Sequence, residues 1–240
     1  MTEASPADGA ASDGVRAHHQ TPTRLVLVRH AVTAQTGPIL SGRLPGIDLS
    51  DTGVGQAQAV GERLAALPVS AVYASPIERT RQTAEQIASH HELAVRVLDG
   101  VLEADYGEWT GQKIVDLATT DLWKTVQVAP SRARFPGGES IAAMQARMVA
   151  ALEGVVAAHP GETVVVVSHA DPIKAAIAHF TGMHLDLFQR VMVSPASVTV
   201  FELGALGAVL CTCNSLGELS EVLSLPTPEP DLEPEREAAR

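Results

Sequence analysis

Apolar positions along this chain follow two rhythms that alternate from residue 24 to residue 213. Short unbroken runs of valine, leucine and alanine at Arg24 to Val28 (RLVLV), 71–74 (AVYA), 94–98 (AVRVL) and 163–168 (TVVVVS) read as strands. Between them the spacing predicts helices. One runs from Asp51 to Leu67 and is ended by Pro68; a second runs to about Ser89, with Ser75 as its cap and Pro76 in its first turn. A longer helix follows Gly137 to Ser140 and reaches about His159, and another opens at Asp171-Pro172. Val198 to Leu203 and Val209 to Cys213, joined through Gly204 and Gly207, read as an antiparallel hairpin.

Strands alternating with helices, and built from uninterrupted valine and leucine, predict an α/β fold whose mostly parallel sheet is covered on both faces. The hairpin adds an antiparallel edge, and the whole reads as a three-layer α/β/α sandwich. In open sheets of this kind the ligand site lies beyond the carboxyl ends of the strands. Residues 1–22, small and polar, read as a disordered leader; residues 23–216 form one domain; residues 217–240, rich in proline and acids, read as a solvated tail.

Composition narrows the function. A formal charge of −11 argues against general affinity for nucleic acid or for an anionic membrane, since both need a basic face. Beyond residue 217 acids outnumber arginines seven to two, so much of that charge belongs to the tail. The amino terminus lacks the basic start and apolar run of a secretory signal, and no stretch approaches the roughly 20 apolar residues of a membrane span, so a cytoplasmic location is expected. Cys211 and Cys213, two apart in a strand, share a face and predict no structural disulfide. Nothing in the sequence specifies an oligomeric state.

Two of the core strands run straight into a histidine: LVLV leads to Arg29-His30, and TVVVVS leads to His169. On adjacent parallel strands both imidazoles would stand at one end of the sheet. A lone loop histidine is usually satisfied by backbone, and two at strand ends weaken that explanation. A third strand end supplies Arg79 and Arg81 at the start of a helix. Cations are unfavourable there unless an anion or a nearby carboxylate compensates them. A metal site built on His30, His169 and Glu103 is the competing arrangement, and Arg29 and Arg79 count against it on electrostatic grounds.

The segments Arg29-His30-Ala31, SPIERTRQTA at 75–84, LEADYGEWTG from Leu102 to Gly111, PGGES at 136–140 and VSHADP at 167–172 occur in one order. Together they resemble the histidine phosphatase superfamily, whose fold is phosphoglycerate mutase-like. The resemblance spans roughly residues 24–213. It implies that His30 is the nucleophile, that Arg29, Arg79 and His169 hold the phosphoryl group, and that Glu103 is the proton donor. It implies a small-molecule phosphate ester as substrate and neither a metal nor a cofactor, because guanidinium groups and an imidazole can neutralise the transferred phosphoryl group.

The chain departs from the family pattern in places. Ala31 stands where glycine is usual, and its Cβ is expected to narrow the phosphate pocket or restrict the loop. Thr36 replaces a frequent asparagine and can still donate a hydrogen bond to phosphate. Ser41, Gly42 and Arg43 resemble a loop that contacts substrate in mutase relatives, and Trp109, Trp123 and Phe135 are expected to line or support the pocket mouth. Hydrolysis of a phosphomonoester is the favoured reading, because the Gln112 to Phe135 region is short with scattered charges. A phosphomutase is the alternative, and an inactive sensor of phospho-ligands a remote third.

Overall fold

The computed structural model describes residues 21–217 and Leu219; most of the amino-terminal leader and of the acidic tail lies outside the described residues. The elements in chain order are β1 (Thr23–Arg29), α1 (Asp51–Leu64), β2 (Val69–Ala74), α2 (Glu78–Ser89), β3 (Val95–Val97) and the short α3 (Ile114–Leu117). Then come α4 (Asp121–Val128), α5 (Ile141–Ala158), β4 (Thr163–Ser168), α6 (Ala170–Phe180), β5 (Val198–Gly204) and β6 (Gly207–Ser215). One six-stranded sheet has the order β3-β2-β4-β1-β5-β6. The first four of these are mutually parallel; β5 runs antiparallel to β1 and β6 antiparallel to β5, giving the expected antiparallel edge.

The unbroken apolar runs are explained by burial on both faces. Along β1, Val26 and Val28 pack with Val165, Val167, Val60 and Leu64 on the side of α1 and α2. Leu25 and Leu27 point the other way, into Met148, Leu152, Ile173 and Ile177 of α5 and α6. All of these are at most 2% exposed, and each large one contributes ~1.5–3 kcal/mol relative to exposure. Helix α5 has the length and mean hydropathy (1.4) to cross a membrane, but Met144, Met148 and Leu152 are fully buried in this fold, so it serves as a core helix. A third cluster, with Tyr106, Trp109, Phe135, Met144 and Phe188, covers the carboxyl end of the sheet.

Several boundaries differ from the sequence expectation. Helix α1 ends at Leu64, short of Leu67, because the chain must turn back to feed β2 at Val69. Leu67 is apolar for the core it joins with Val60 and Leu64, not for the helix. Helix α2 begins at Glu78 with Ile77 before it and no side-chain cap. Ser75 is not the cap: it is fully buried and its hydroxyl is engaged elsewhere, as described below. Packing also continues past residue 216, since Leu219 is 2% exposed and sits in the cluster of Leu64 and Leu67. Cys211 and Cys213 are both free thiols on β6.

One backbone approach positions the chemistry. Gly107 (φ +52°) and Gly138 let the segment after Glu103 lie directly on the PGGES loop. A Cβ on Gly138 would stand 2.2 Å from the Asp105 carbonyl oxygen, and one on Gly107 2.1 Å from that of Pro136. The contact is sealed by Glu108 N–H donating to Pro136 O (2.8 Å) and Glu139 N–H to Asp105 O (3.0 Å).

Candidate active site

β1 and β4 pair in register so that Arg29 faces Ser168, which brings the next residue of each strand, His30 and His169, to the same end of the sheet. His30 N–H donates to Ser168 O at 2.9 Å, and the imidazole centroids lie 5.3 Å apart. Ala31 follows with its N–H on Thr83 Oγ1 (3.1 Å) and its side chain fully buried in the cluster of Val28 and Val167. It packs in the core and is not among the residues lining the cavity, so it does not narrow that cavity.

Hydrogen bonds assign the tautomer of each histidine. His30 Nδ1 lies 2.7 Å from the Ala31 carbonyl, which can only accept, so Nδ1 carries the proton and Nε2 keeps its lone pair. Arg79 Nε donates to that lone pair at 3.2 Å. Arg79 Nη2 donates to Gly42 O (2.7 Å) and to His169 Nδ1 (3.2 Å), leaving His169 Nε2–H to donate to Ser75 Oγ at 3.0 Å. Burial first, then Arg79 and Arg29, pushes the His30 imidazole well below its usual pKa, and burial with Arg79 does the same to His169. Both rings are therefore neutral near pH 7. His169 is fully buried.

Both arginines keep buried N–H groups without an acceptor among the described residues. Arg79 is 3% exposed, yet its Nη1 has no hydrogen-bond partner among the described residues; Arg29 Nη1 is held on Val193 O at 2.7 Å while its Nε is buried and unpartnered. A buried guanidinium N–H without an acceptor is costly, and a phosphoryl oxygen would supply one.

Glu103 has Oε2 3.9 Å from His169 Nδ1 and Oε1 accepting from Ala104 N–H at 2.9 Å. Burial, assisted by Asp171, raises its pKa to about 7 against the opposing pull of Arg79 and Arg29. Such a carboxyl group can hold a proton near neutrality and release it to a leaving group. Its backbone is clamped from behind, because Arg43 Nε and Arg147 Nη2 both donate to Glu103 O, at 2.8 and 2.9 Å. Those arginines in turn converge on Glu139 Oε1, at 3.0 and 2.6 Å. Burial works to raise the Glu139 carboxyl, but the hydrogen bonds from Arg147 and the Asp105 N–H outweigh it and hold it below its usual range.

These groups open onto a cavity of about 420 Å³. Arg29, His30, Arg79 and Glu103 line it, as do Thr36, Ser41 and Gly42. Thr36 Oγ1 closes a turn by accepting from Thr33 N–H (2.9 Å), and Ser41 Oγ donates to Gln35 Oε1 (2.9 Å). Gly42 (φ +55°) leaves room for Tyr106, 3.0 Å from where a Cβ would be, and offers its carbonyl to Arg79. Arg43 does not line the cavity: its guanidinium is turned onto Glu139 and the Glu103 carbonyl. Trp109, Trp123 and Phe135 all line it.

The model of the histidine phosphatase superfamily (branch 1) matches residues 25–215, which contain every residue of this site. This chain is a histidine phosphatase superfamily member. It is 33% identical over 204 residues to phosphoserine phosphatase 1 of Hydrogenobacter thermophilus, covering 82% of this chain and 95% of that protein. Among solved structures it superposes on the phosphoserine phosphatase of Entamoeba histolytica in complex with phosphoserine, with TM-score 0.74, 26% identity and coverage of 80% and 97%. The fold also matches a mycobacterial glucosyl-3-phosphoglycerate phosphatase (TM-score 0.73, 24% identity, 80% and 98% coverage).

Within this superfamily member, sequence reasoning left four contacts without a role. Ser75 lay hidden as a presumed cap, and Glu139 and Asp171 stood inside quoted motifs with no partner assigned. Arg147, on the buried side of α5, carried no signal at all. Asp171 accepts from Tyr106 Oη at 3.0 Å and lies 3.6 Å from Lys174 Nζ, and both residues line the cavity.

Proposed function

We propose that the chain is a phosphomonoesterase for a small phosphorylated metabolite, working through a phosphohistidine on His30 without a metal. The observation that carries this reading is the pairing of His30 Nδ1–H with the Ala31 carbonyl, which leaves Nε2 as a lone-pair donor beside two buried, incompletely satisfied arginines. Nε2 attacks phosphorus while Arg29 and Arg79 take the peripheral oxygens; the ester P–O bond breaks and the Glu103 carboxyl protonates the departing alkoxide. Water then gives a proton to Glu103 and attacks the phosphohistidine, releasing inorganic phosphate and restoring both groups. The relatives named for phosphoserine and glucosyl-3-phosphoglycerate support a substrate of metabolite size, in keeping with the cavity.

The test is a chelator-treated assay of the parent protein and His30→Ala on a phosphate-ester panel that includes 3-phosphoglycerate with and without its bisphosphate. Phosphate release by the parent, lost in the variant, together with acid-labile phosphate on the parent protein alone, is the expected result. Isomerisation without release would replace hydrolysis by a mutase activity, and silence with every ester would leave a binding protein.

A further inference from the structure

Among the described residues three cations line the cavity, and the reaction above uses two of them, Arg29 and Arg79. The third, Lys174, has no part in that chemistry. It belongs to α6, which starts directly after His169, and it stands one helical turn beyond Asp171, another lining residue. Its side chain is only 17% exposed. An ammonium group so placed needs acceptors in exchange for its lost hydration.

The group carries three N–H donors, and its neighbours engage one of them well. Nζ donates to Gln189 Oε1 at 3.0 Å. Asp171 Oδ1 lies 3.6 Å away, an ion pair beyond hydrogen-bond length, and Oδ2 of the same carboxylate accepts from Tyr106 Oη at 3.0 Å. The Phe188 ring, with its centroid 5.8 Å from Nζ, offers a π face and no lone pair. Two donors therefore remain on a side chain that lines the cavity. Gln189 lines it too, and because its carbonyl oxygen is spent on Nζ, its amide N–H groups remain as further donors nearby. A charged and a neutral donor side by side suit the two oxygens of a carboxylate, and a charge-assisted bond is roughly twice as strong as a neutral one. Accepting such an anion costs only the long contact to Asp171, which keeps Tyr106 as its partner.

We propose that Lys174, oriented by Gln189, is a specificity-determining residue of this site and receives a carboxylate carried by the leaving group. The proposal rests on the phosphatase reading above. The contact is to a part of the substrate that does not react, so it is kept from the bound ester to the transition state. Its loss therefore raises KM more than it lowers kcat.

The experiment uses two pairs of esters that differ at the carboxylate: L-phosphoserine with O-phosphoethanolamine, and 3-phosphoglycerate with glycerol 3-phosphate. Hydrolysis of p-nitrophenyl phosphate reports basal activity. In the parent, kcat/KM for the carboxylate ester is expected to exceed that of its counterpart in at least one pair. In Lys174→Met and in Lys174→Gln that ratio falls about 10- to 100-fold, the range for one hydrogen bond to a charged group, with most of the loss in KM. Lys174→Arg, which keeps a cation, retains most of the ratio. Reading a ratio within each variant cancels any general loss of activity from altered folding. A parent that cleaves p-nitrophenyl phosphate but prefers neither carboxylate ester, or a preference unchanged in both Lys174→Met and Lys174→Gln, overturns the proposal and leaves the phosphatase intact. Absence of p-nitrophenyl phosphate hydrolysis in the parent overturns both.

Discussion

Glu103 owes its candidacy as an acid to its surroundings. A carboxyl group on a solvated loop would be ionised at pH 7 and useless as a donor, whereas burial and Asp171 lift this one to about 7. Its contribution depends on how badly the leaving oxygen needs a proton. In Glu103→Gln, hydrolysis of an alkyl phosphate is expected to fall roughly 10²–10⁴-fold, and that of p-nitrophenyl phosphate far less. The parent's alkyl-ester kcat/KM should decline as pH rises past about 7, where Glu103 loses its proton, and that limb should vanish in the variant. Equal losses on both esters would remove Glu103 from the acid role. Arg79 bridges both imidazoles and retains a buried unpartnered Nη1, so Arg79→Ala is expected to lose ~10²–10³ in rate, whereas a near-parental rate would overturn the proposed transition-state role.

The loop bearing Glu103 has little regular structure of its own, and its place is set by the helix behind it. Arg147 of α5 donates to the carbonyls of Gly100, Leu102 and Glu103 at 3.0, 2.7 and 2.9 Å, and Glu139 gathers Arg147 and Arg43 into one network. Glu139 touches no reacting atom, so it acts as a positioning residue. Glu139→Gln removes the charge that holds both arginines and should let the Glu103 carbonyl shift. A displacement of about 1 Å can cost ~10²-fold, so a loss of roughly 10- to 100-fold is expected with alkyl esters. The loss should be smaller with p-nitrophenyl phosphate, because the misplaced group is the proposed acid. A purely structural role would lower both rates together, and measuring the two esters side by side separates the cases.

Gathering these groups at one end of the sheet costs the folded chain stability, with opposite signs for the two residue types. His30 and His169 are held neutral with depressed pKa values, so the unfolded chain binds protons they cannot, and stability falls as the solution becomes acidic. Glu103 has a raised pKa: the folded chain binds the extra proton, and its contribution declines as pH rises from the usual 4.5 toward about 7. Glu103→Gln removes only the second effect. Its Tm should therefore gain on the parent's as pH rises from 5 to 8, by about 2–4 °C for each kcal/mol recovered in a chain of this size. A Tm difference constant across that range would mean that Glu103 ionises in the folded protein as it does in the unfolded one.

Much of this molecule was determined by the sequence alone, because the responsible forces are local or periodic. An uninterrupted run such as TVVVVS can satisfy its burial on two faces only as a central strand, and two such strands ending in histidine place both rings at one end of the sheet once they pair in register. The order of the five motifs led to the family, and with it to His30, Arg29, Arg79, His169 and Glu103. Only the tertiary structure decided where polar side chains of ambiguous purpose would go. Ser75 left the helix start for His169, Arg43 turned from the cavity to Glu139, and Leu67 and Leu219 joined the core rather than a helix end and a tail. The partners of Ser75 and Arg43 lie more than ninety residues away: a hydroxyl, a guanidinium or an isolated leucine binds whatever the folded chain brings within a few ångströms, and neither spacing nor composition records that neighbour.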